Sequence, residues 1–138
     1  MSADESKDVP FTELPKGAGQ IDKDAATKFT AAKSGLKYRI LRKGEGAAPK
    51  ATNTVRVHYH GWLDNGKVFD SSYRRNEDIS FGLNQVIKGW TEGMQLVGAG
   101  GMIELQIPSA LGYGDRGAPP DIPPKATLHF LVELIEVK

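Results

Sequence analysis

The residues of this 138-residue chain that could do covalent, metal or phosphate chemistry are few. TVRVHYHGWL alternates with a period of two, so His58 and His60 share one strand face, and His129 is a candidate cross-strand neighbour. A metal site there is the weaker reading. The same face carries Arg56, no carboxylate stands nearby in sequence to orient the imidazoles, and histidines are common on solvated sheet faces. Ser71 and Ser72 follow Asp70, but no nucleophile elbow surrounds them and no histidine lies close in sequence. FDSS therefore reads as a turn whose Asp and Ser side chains bond nearby backbone. The glycine run VGAGG at 97–101 lacks the Lys-Ser/Thr ending of a phosphate loop and precedes a strand pattern, so it too reads as a turn. Without cysteine, a thiolate nucleophile, a disulfide framework and a cysteine-based zinc site are excluded.

What remains is a set of large apolar side chains at positions that ordinary packing does not obviously require. Tyr59 ends the inward face of a strand, Phe69 lies just past a hairpin, and Trp90 stands between glycines one and three residues away. Tyr113 is held between two glycines, Ile122 sits among prolines, and Phe130 is on the last strand. By spacing alone they are either the core of a small domain or the lining of an apolar pocket.

The elements that would position them are legible in the hydropathy pattern. LKYRILR alternates, with Leu36, Tyr38 and Ile40 inward and Lys37, Arg39 and Leu41 outward. Val55, Val57 and Tyr59 oppose Arg56, His58 and His60 in the same way. Asn65-Gly66 marks a tight hairpin, since both residues tolerate positive φ. VIKGWTEGMQL is the helix candidate, with Ile87, Trp90 and Met94 in one stripe. Gly89 and Gly93 weaken that helix by about 1 kcal/mol each relative to alanine, but permit close packing on a sheet. GMIELQIP and TLHFLVELIEV complete a set of about five strands with antiparallel pairing, an α+β arrangement. Ahead of these, residues 1 to about 20 read as a flexible polar arm. IDKDAATKFTAAKSG reads as a short helix capped by Asp22 or Asp24 and ended by Gly35.

The chain has the length of one domain. Its 18 Lys and Arg nearly balance its 17 Asp and Glu, which argues against nucleic-acid or membrane binding by bulk charge. The N-terminal stretch shows no apolar signal-peptide core, so the cytoplasm is the expected compartment. A monomer is expected, because the arm is too short for a dimerisation helix.

HYHGWLDNGKVFDSS, VIKGWTEGM, LGYGDRG and IPPKATLHFLVEL, in this order and spacing, resemble the FKBP-type peptidyl-prolyl cis-trans isomerases over roughly residues 35–138. Residues 1–34 then form an N-terminal extension. The resemblance implies a five- to six-stranded antiparallel sheet wrapped around one short α-helix, with a shallow apolar pocket between them. It implies a lining of Tyr59, Phe69, Asp70, Val86, Ile87, Trp90, Tyr113, Ile122 and Phe130, with Gln85 beside it and Trp90 as its floor. The Tyr113 hydroxyl and the Ile87 N–H would hold carbonyls of a bound peptide, and Asp70 would sit near Tyr59 and Arg75. Among these, Asp70, Tyr113, Phe69, Trp90 and Phe130 are the implied catalytic set. The chain departs from the family pattern at Ile79, where an aromatic is common, and at Asp121, where a charge replaces an apolar residue. It also departs at Ala118 and in a shortened stretch between Phe81 and Val86. No large insertion interrupts residues 114–126, where some relatives carry a chaperone domain.

The implied activity needs neither cofactor nor metal. Resonance holds the peptide bond planar behind a barrier of about 18–20 kcal/mol. The two X–Pro isomers lie close in energy, so only the barrier needs lowering. The twisted transition state has lost resonance and charge separation, so an apolar site disfavours the planar, dipolar ground state relative to it. Proline-containing peptides and unfolded clients are the implied partners, with macrolides such as tacrolimus and rapamycin as further ligands. The competing reading is a non-catalytic prolyl-peptide or macrolide binding module, or a holdase chaperone. In either case the four prolines of GAPPDIPPK stiffen the pocket rim, since each fixes φ near −65° (about ±15°).

Overall fold

The computed structural model describes residues 7–138. Its strands are β1 Thr30–Ala31, β2 Lys37–Arg42, β3 Thr54–Leu63, β4 Val68–Ser71, β5 Ile79–Gly82, β6 Met102–Ile107 and β7 Leu128–Val137. Two helices interrupt them, α1 Ser72–Arg75 and α2 Lys88–Gly93. The sheet has seven strands, ordered β1-β2-β6-β7-β3-β4 with β5 also on β3, and all pairs are antiparallel. The expected five to six strands become seven because β1 is a two-residue addition at the edge. Among these residues no helix is long and apolar enough to cross a membrane.

Alternation places the core. Val55, Val57 and Tyr59 of β3, Ile103, Leu105 and Ile107 of β6, and Phe130, Val132 and Leu134 of β7 bury one sheet face against Trp90 and Met94. The sheet wraps around α2 closely. A Cβ at Gly89 would stand 2.5 Å from the Ile107 side chain, and one at Gly93 would stand 2.7 Å from that of Leu105. The glycines that weaken α2 as a helix are therefore what let it reach the sheet.

Between β3 and β4, the Leu63 N–H meets the Lys67 carbonyl at 3.0 Å, closing the hairpin foreseen at Asn65-Gly66. Only Gly66 takes positive φ there, at +85°. The glycine run before β6 is a turn, closed by a bond from the Gly101 N–H to the Gly98 carbonyl.

The opposite sheet face corrects two expectations. No helix forms over 21–35, where the backbone makes turns and then β1. The donors a helix would use internally go to the sheet instead: the N–H groups of Asp22 and Ala26 reach the carbonyls of Leu41 and Ile40. The Asp22 carboxylate accepts from the Lys43 N–H instead of capping a helix, and Gly35, at φ +98°, closes a turn. From residue 7 onward the arm lies against the sheet. Leu14, Ile21 and Ala25 pack on Leu41, Met102, Leu131 and Trp62. The part of the arm before residue 7 lies outside the described residues.

Arg39, expected to face water, is 1% exposed under this arm. It pairs with Glu104 at 2.9 Å, donates to the carbonyls of Val9, Pro10 and Thr27, and is flanked by the rings of Phe11 and Phe29. Glu133, also on this face, accepts from the Tyr73 hydroxyl, Arg42 and the Gly19 N–H. Strand alternation read this face correctly as polar; burial beneath the arm is a long-range event that alternation does not encode.

Candidate functional site: an aromatic cleft between helix and sheet

β3, β4, β5, α2 and β7 each aim an aromatic residue at one point. The ring of Trp90 meets Tyr59, Phe81 and Phe130 edge-on, with centroids 5.5, 5.4 and 5.4 Å away. Phe69 meets Phe130 edge-on at 5.4 Å. Edge-to-face contact sets the positive ring edge on the negative face and leaves the faces between rings open. Gly61 makes this crossing possible. It pairs with Phe130 on one side and Asp70 on the other, and a Cβ there would stand 2.7 Å from Phe69 and 2.8 Å from Phe130.

These rings surround a cleft of about 540 Å³, with Asp70, Gln85, Val86, Ile87 and Tyr113 completing its lining. Trp90, 4% exposed, is its floor, and Tyr113, 43% exposed, stands at its rim. The Tyr113 hydroxyl and the Ile87 N–H have no hydrogen-bond partner among the described residues. Both are donors at the edge of an apolar space.

One wall is charged. The Tyr59 hydroxyl donates to Asp70 Oδ2, Arg75 Nη1 donates to Asp70 Oδ1, and Arg75 Nη2 donates to the Tyr59 oxygen at 3.0 Å. Burial alone would raise the Asp70 pKa, but the Tyr59 hydroxyl and the Arg75 guanidinium outweigh it and hold the carboxyl below its ordinary value. Burial, and then the bond to Asp70, raises the Tyr59 phenol. At neutral pH the pair is therefore a carboxylate held by a neutral phenol, with its charge turned into the wall.

Of the residues read from sequence, Tyr59, Phe69, Asp70, Gln85, Val86, Ile87, Trp90, Tyr113 and Phe130 converge on the cleft. Arg75 reaches it only through Asp70 and Tyr59. Ile122 is buried in the same core cluster as Tyr59, Trp90 and Phe130 and is not among the residues around the cleft. Ile79, 37% exposed, lies on β5 outside the lining, and Asp121 is exposed at the loop tip. Phe81 was missed. Its signal was period-two spacing from Ile79 in ISFG, a strand too short to read with confidence from pattern alone, and its pairing with Val55 directs it inward.

The residues first considered for chemistry go elsewhere. Ser72 contacts His58 at 2.7 Å, yet its hydroxyl is fully buried and also engages the Tyr59 N–H and carbonyl, so no substrate reaches it. Ser71 is likewise buried against His60, while Asp70 turns to the other sheet face. His129 lies opposite Trp62, stacks on it and bonds Asp64. Among the described residues no three His, Asp or Glu side chains converge on a common point.

An antiparallel sheet curled around a short helix, with an aromatic cleft at the helix start, defines an α+β domain with an apolar opening in its core. The chain belongs to the FKBP-type peptidyl-prolyl cis-trans isomerase family, whose model matches residues 45–135. It is 56% identical over 104 residues to a Haemophilus influenzae protein named "Probable FKBP-type peptidyl-prolyl cis-trans isomerase", covering 75% of this chain and 43% of that one. Its structure is similar to that of FkpA from Escherichia coli, with a TM-score of 0.78 and 49% identity over 80% of this chain and 51% of that one. It is also similar to AtFKBP13, with a TM-score of 0.76 and 38% identity over 80% of this chain and 99% of that one. The chain spans about half the length of the curated relatives it matches.

Proposed function

We propose that the cleft binds the prolyl residue of a peptide and catalyses rotation about the preceding bond, assisting protein folding. The observation that carries this reading is the pairing of an aromatic cleft with two unengaged donors, Tyr113 Oη and the Ile87 N–H. The proline ring stacks over Trp90 between Tyr59, Phe69 and Phe130. The two donors hold carbonyls on either side of the rotating bond, so that one end of the amide is fixed while the other turns. Out of water, the dipolar planar amide loses hydration that the twisted form needs less, which narrows the gap between them. The charge of Asp70 is tied up by Tyr59 and Arg75, so the wall stays compatible with an apolar ring. Apolar macrolides such as tacrolimus fit the same description and would compete with peptide.

The test is an isomerisation assay on short X–Pro peptides with the intact chain and a Phe69→Ala variant. The expected result is acceleration over the spontaneous rate, inhibited by tacrolimus and reduced in the variant. A spontaneous rate with peptide still bound would replace the enzyme reading with that of a binding module.

A further inference from the structure

The residues next in sequence to the cleft wall serve a second concavity. Tyr59 points into the cleft, and His60, by alternation, points to the other face of β3. α1 repeats this division: Arg75 turns to Asp70, while Arg74 faces the opposite side. There, Glu13, Leu14, Pro15, Lys16 and Gly17 of the arm form one bank of a groove of about 780 Å³, and His60, Tyr73, Arg74 and Asn76 form the other.

Charge distinguishes this groove. Arg39, Arg42, Arg56 and Arg75 each meet a carboxylate. Among the described residues Arg74 and Lys16 meet none, although both line the groove. Glu13 is its only carboxylate. Arg74 acts on its surroundings: its charge adds to burial, the larger cause, in lowering the pKa of His60. Leu14, Pro15 and Tyr73 supply apolar surface beside them.

We propose that this groove binds an acidic peptide segment, with Arg74 and Lys16 meeting its carboxylates and Leu14, Pro15 and Tyr73 covering its aliphatic stems. Such a segment is attracted by charges left uncompensated within the chain, and burying both partners in one groove lowers the screening by salt. The site lies across the sheet from the cleft and does not depend on the isomerase reading. Its occupant needs no proline.

The experiment follows the histidine rings by NMR during pH titration of the intact chain, with and without the proline-free peptide Ac-Leu-Glu-Glu-Leu-NH2. A bound carboxylate favours imidazolium, so the expected result is a saturable upward shift of the His60 midpoint, with that of His129 unchanged. The shift should vanish with Ac-Leu-Gln-Gln-Leu-NH2 and in a Lys16→Gln, Arg74→Gln variant whose X–Pro isomerisation rate equals that of the parent. No shift, or one that persists in the variant, overturns the proposal. An equal shift from inorganic phosphate at the same concentration also overturns it, by reducing the groove to an unselective ion site.

Discussion

The indole of Trp90 stands at 89° to the ring of Phe130, with centroids 5.4 Å apart, and this pair joins α2 to the last strand of the sheet. It is at once the floor of the cleft and part of the core. Replacing either ring with alanine should destabilise the fold by about 3–5 kcal/mol. The double variant should lose less than the sum of the two single losses, by about 0.5–1.5 kcal/mol, the value of an edge-to-face pair. Urea denaturation of all four proteins measures this. Strict additivity would mean that the rings stabilise the fold separately, without the contact described.

The charged wall predicts an acid limb. Asp70 has a folded pKa below its ordinary 3.8, so the stability it contributes is fully present above that value and is lost as pH falls through the folded pKa. The group is partly exposed, so the contribution is under about 1 kcal/mol after solvent screening. Asp70→Asn should flatten this part of the stability–pH curve and leave the region from pH 5 to 8 (roughly the usual range of maximal stability) unchanged in shape. Thermal melts across the acid range check it, and an unchanged acid limb in the variant would assign that limb to other carboxylates.

Glu104 should behave in the opposite sense. Burial raises its pKa above the ordinary 4.5 despite the charge of Arg39. The folded chain therefore holds this proton more tightly than the unfolded one, and the group favours folding more as pH falls through its folded pKa towards 4.5. Arg39→Met leaves the Glu104 carboxylate buried without its counter-charge and should cost about 3–5 kcal/mol. Arg39→Met with Glu104→Leu should restore much of that loss, because two apolar side chains carry no desolvation penalty. Equilibrium denaturation of the two variants separates these outcomes. Loosening of the arm in Arg39→Met should also appear as faster amide exchange at Val9, whose N–H bonds the Thr27 carbonyl that Arg39 also holds.

Asp121 is outside the cleft lining but exposed on the loop that rises beside Tyr113, where a charge acts on the residues flanking proline. Peptides carrying Lys or Arg near proline should turn over faster than acidic ones at low salt, by up to about fivefold for an exposed pair worth about 1 kcal/mol or less. The preference should shrink at 1 M salt, where the screening length is about 3 Å. It should disappear in Asp121→Asn. Equal rates for both peptides at low salt would remove this residue from substrate selection.

Tyr113→Phe tests the rim donor. Loss of one hydrogen bond of about 0.5–1.5 kcal/mol to the peptide should lower kcat/KM by roughly two- to tenfold with little change in stability, since the ring is exposed and its hydroxyl has no partner among the described residues. Steady-state kinetics with a short X–Pro peptide, alongside a thermal melt, reads both quantities.

Period-two alternation in TVRVHYHGWL and GMIELQIP, and the stripe of Ile87, Trp90 and Met94, were enough to define the inner face of the sheet and the helix packed on it. Those patterns are local, because they follow from how a strand or helix directs successive side chains. Most of the cleft was also legible, since motif order assigns Tyr59, Phe69, Trp90 and Phe130 to elements whose faces are already known. Other features needed the tertiary structure. The stretch IDKDAATKFTAAKSG has the composition of a helix, yet its donors bond the carbonyls of β2 and its Phe29 lies against Arg39. Arg39 and Glu104 follow the outward phase of their strands and end up buried, because a segment from far away in sequence covers them. Phe81 joins the cleft through strand register, which pairs it with Val55. Whether a polar face meets water or another part of the chain, and whether an aromatic residue fills a core or lines an opening in it, depends on what approaches from a distance. That approach is set by packing among elements, which no single segment encodes.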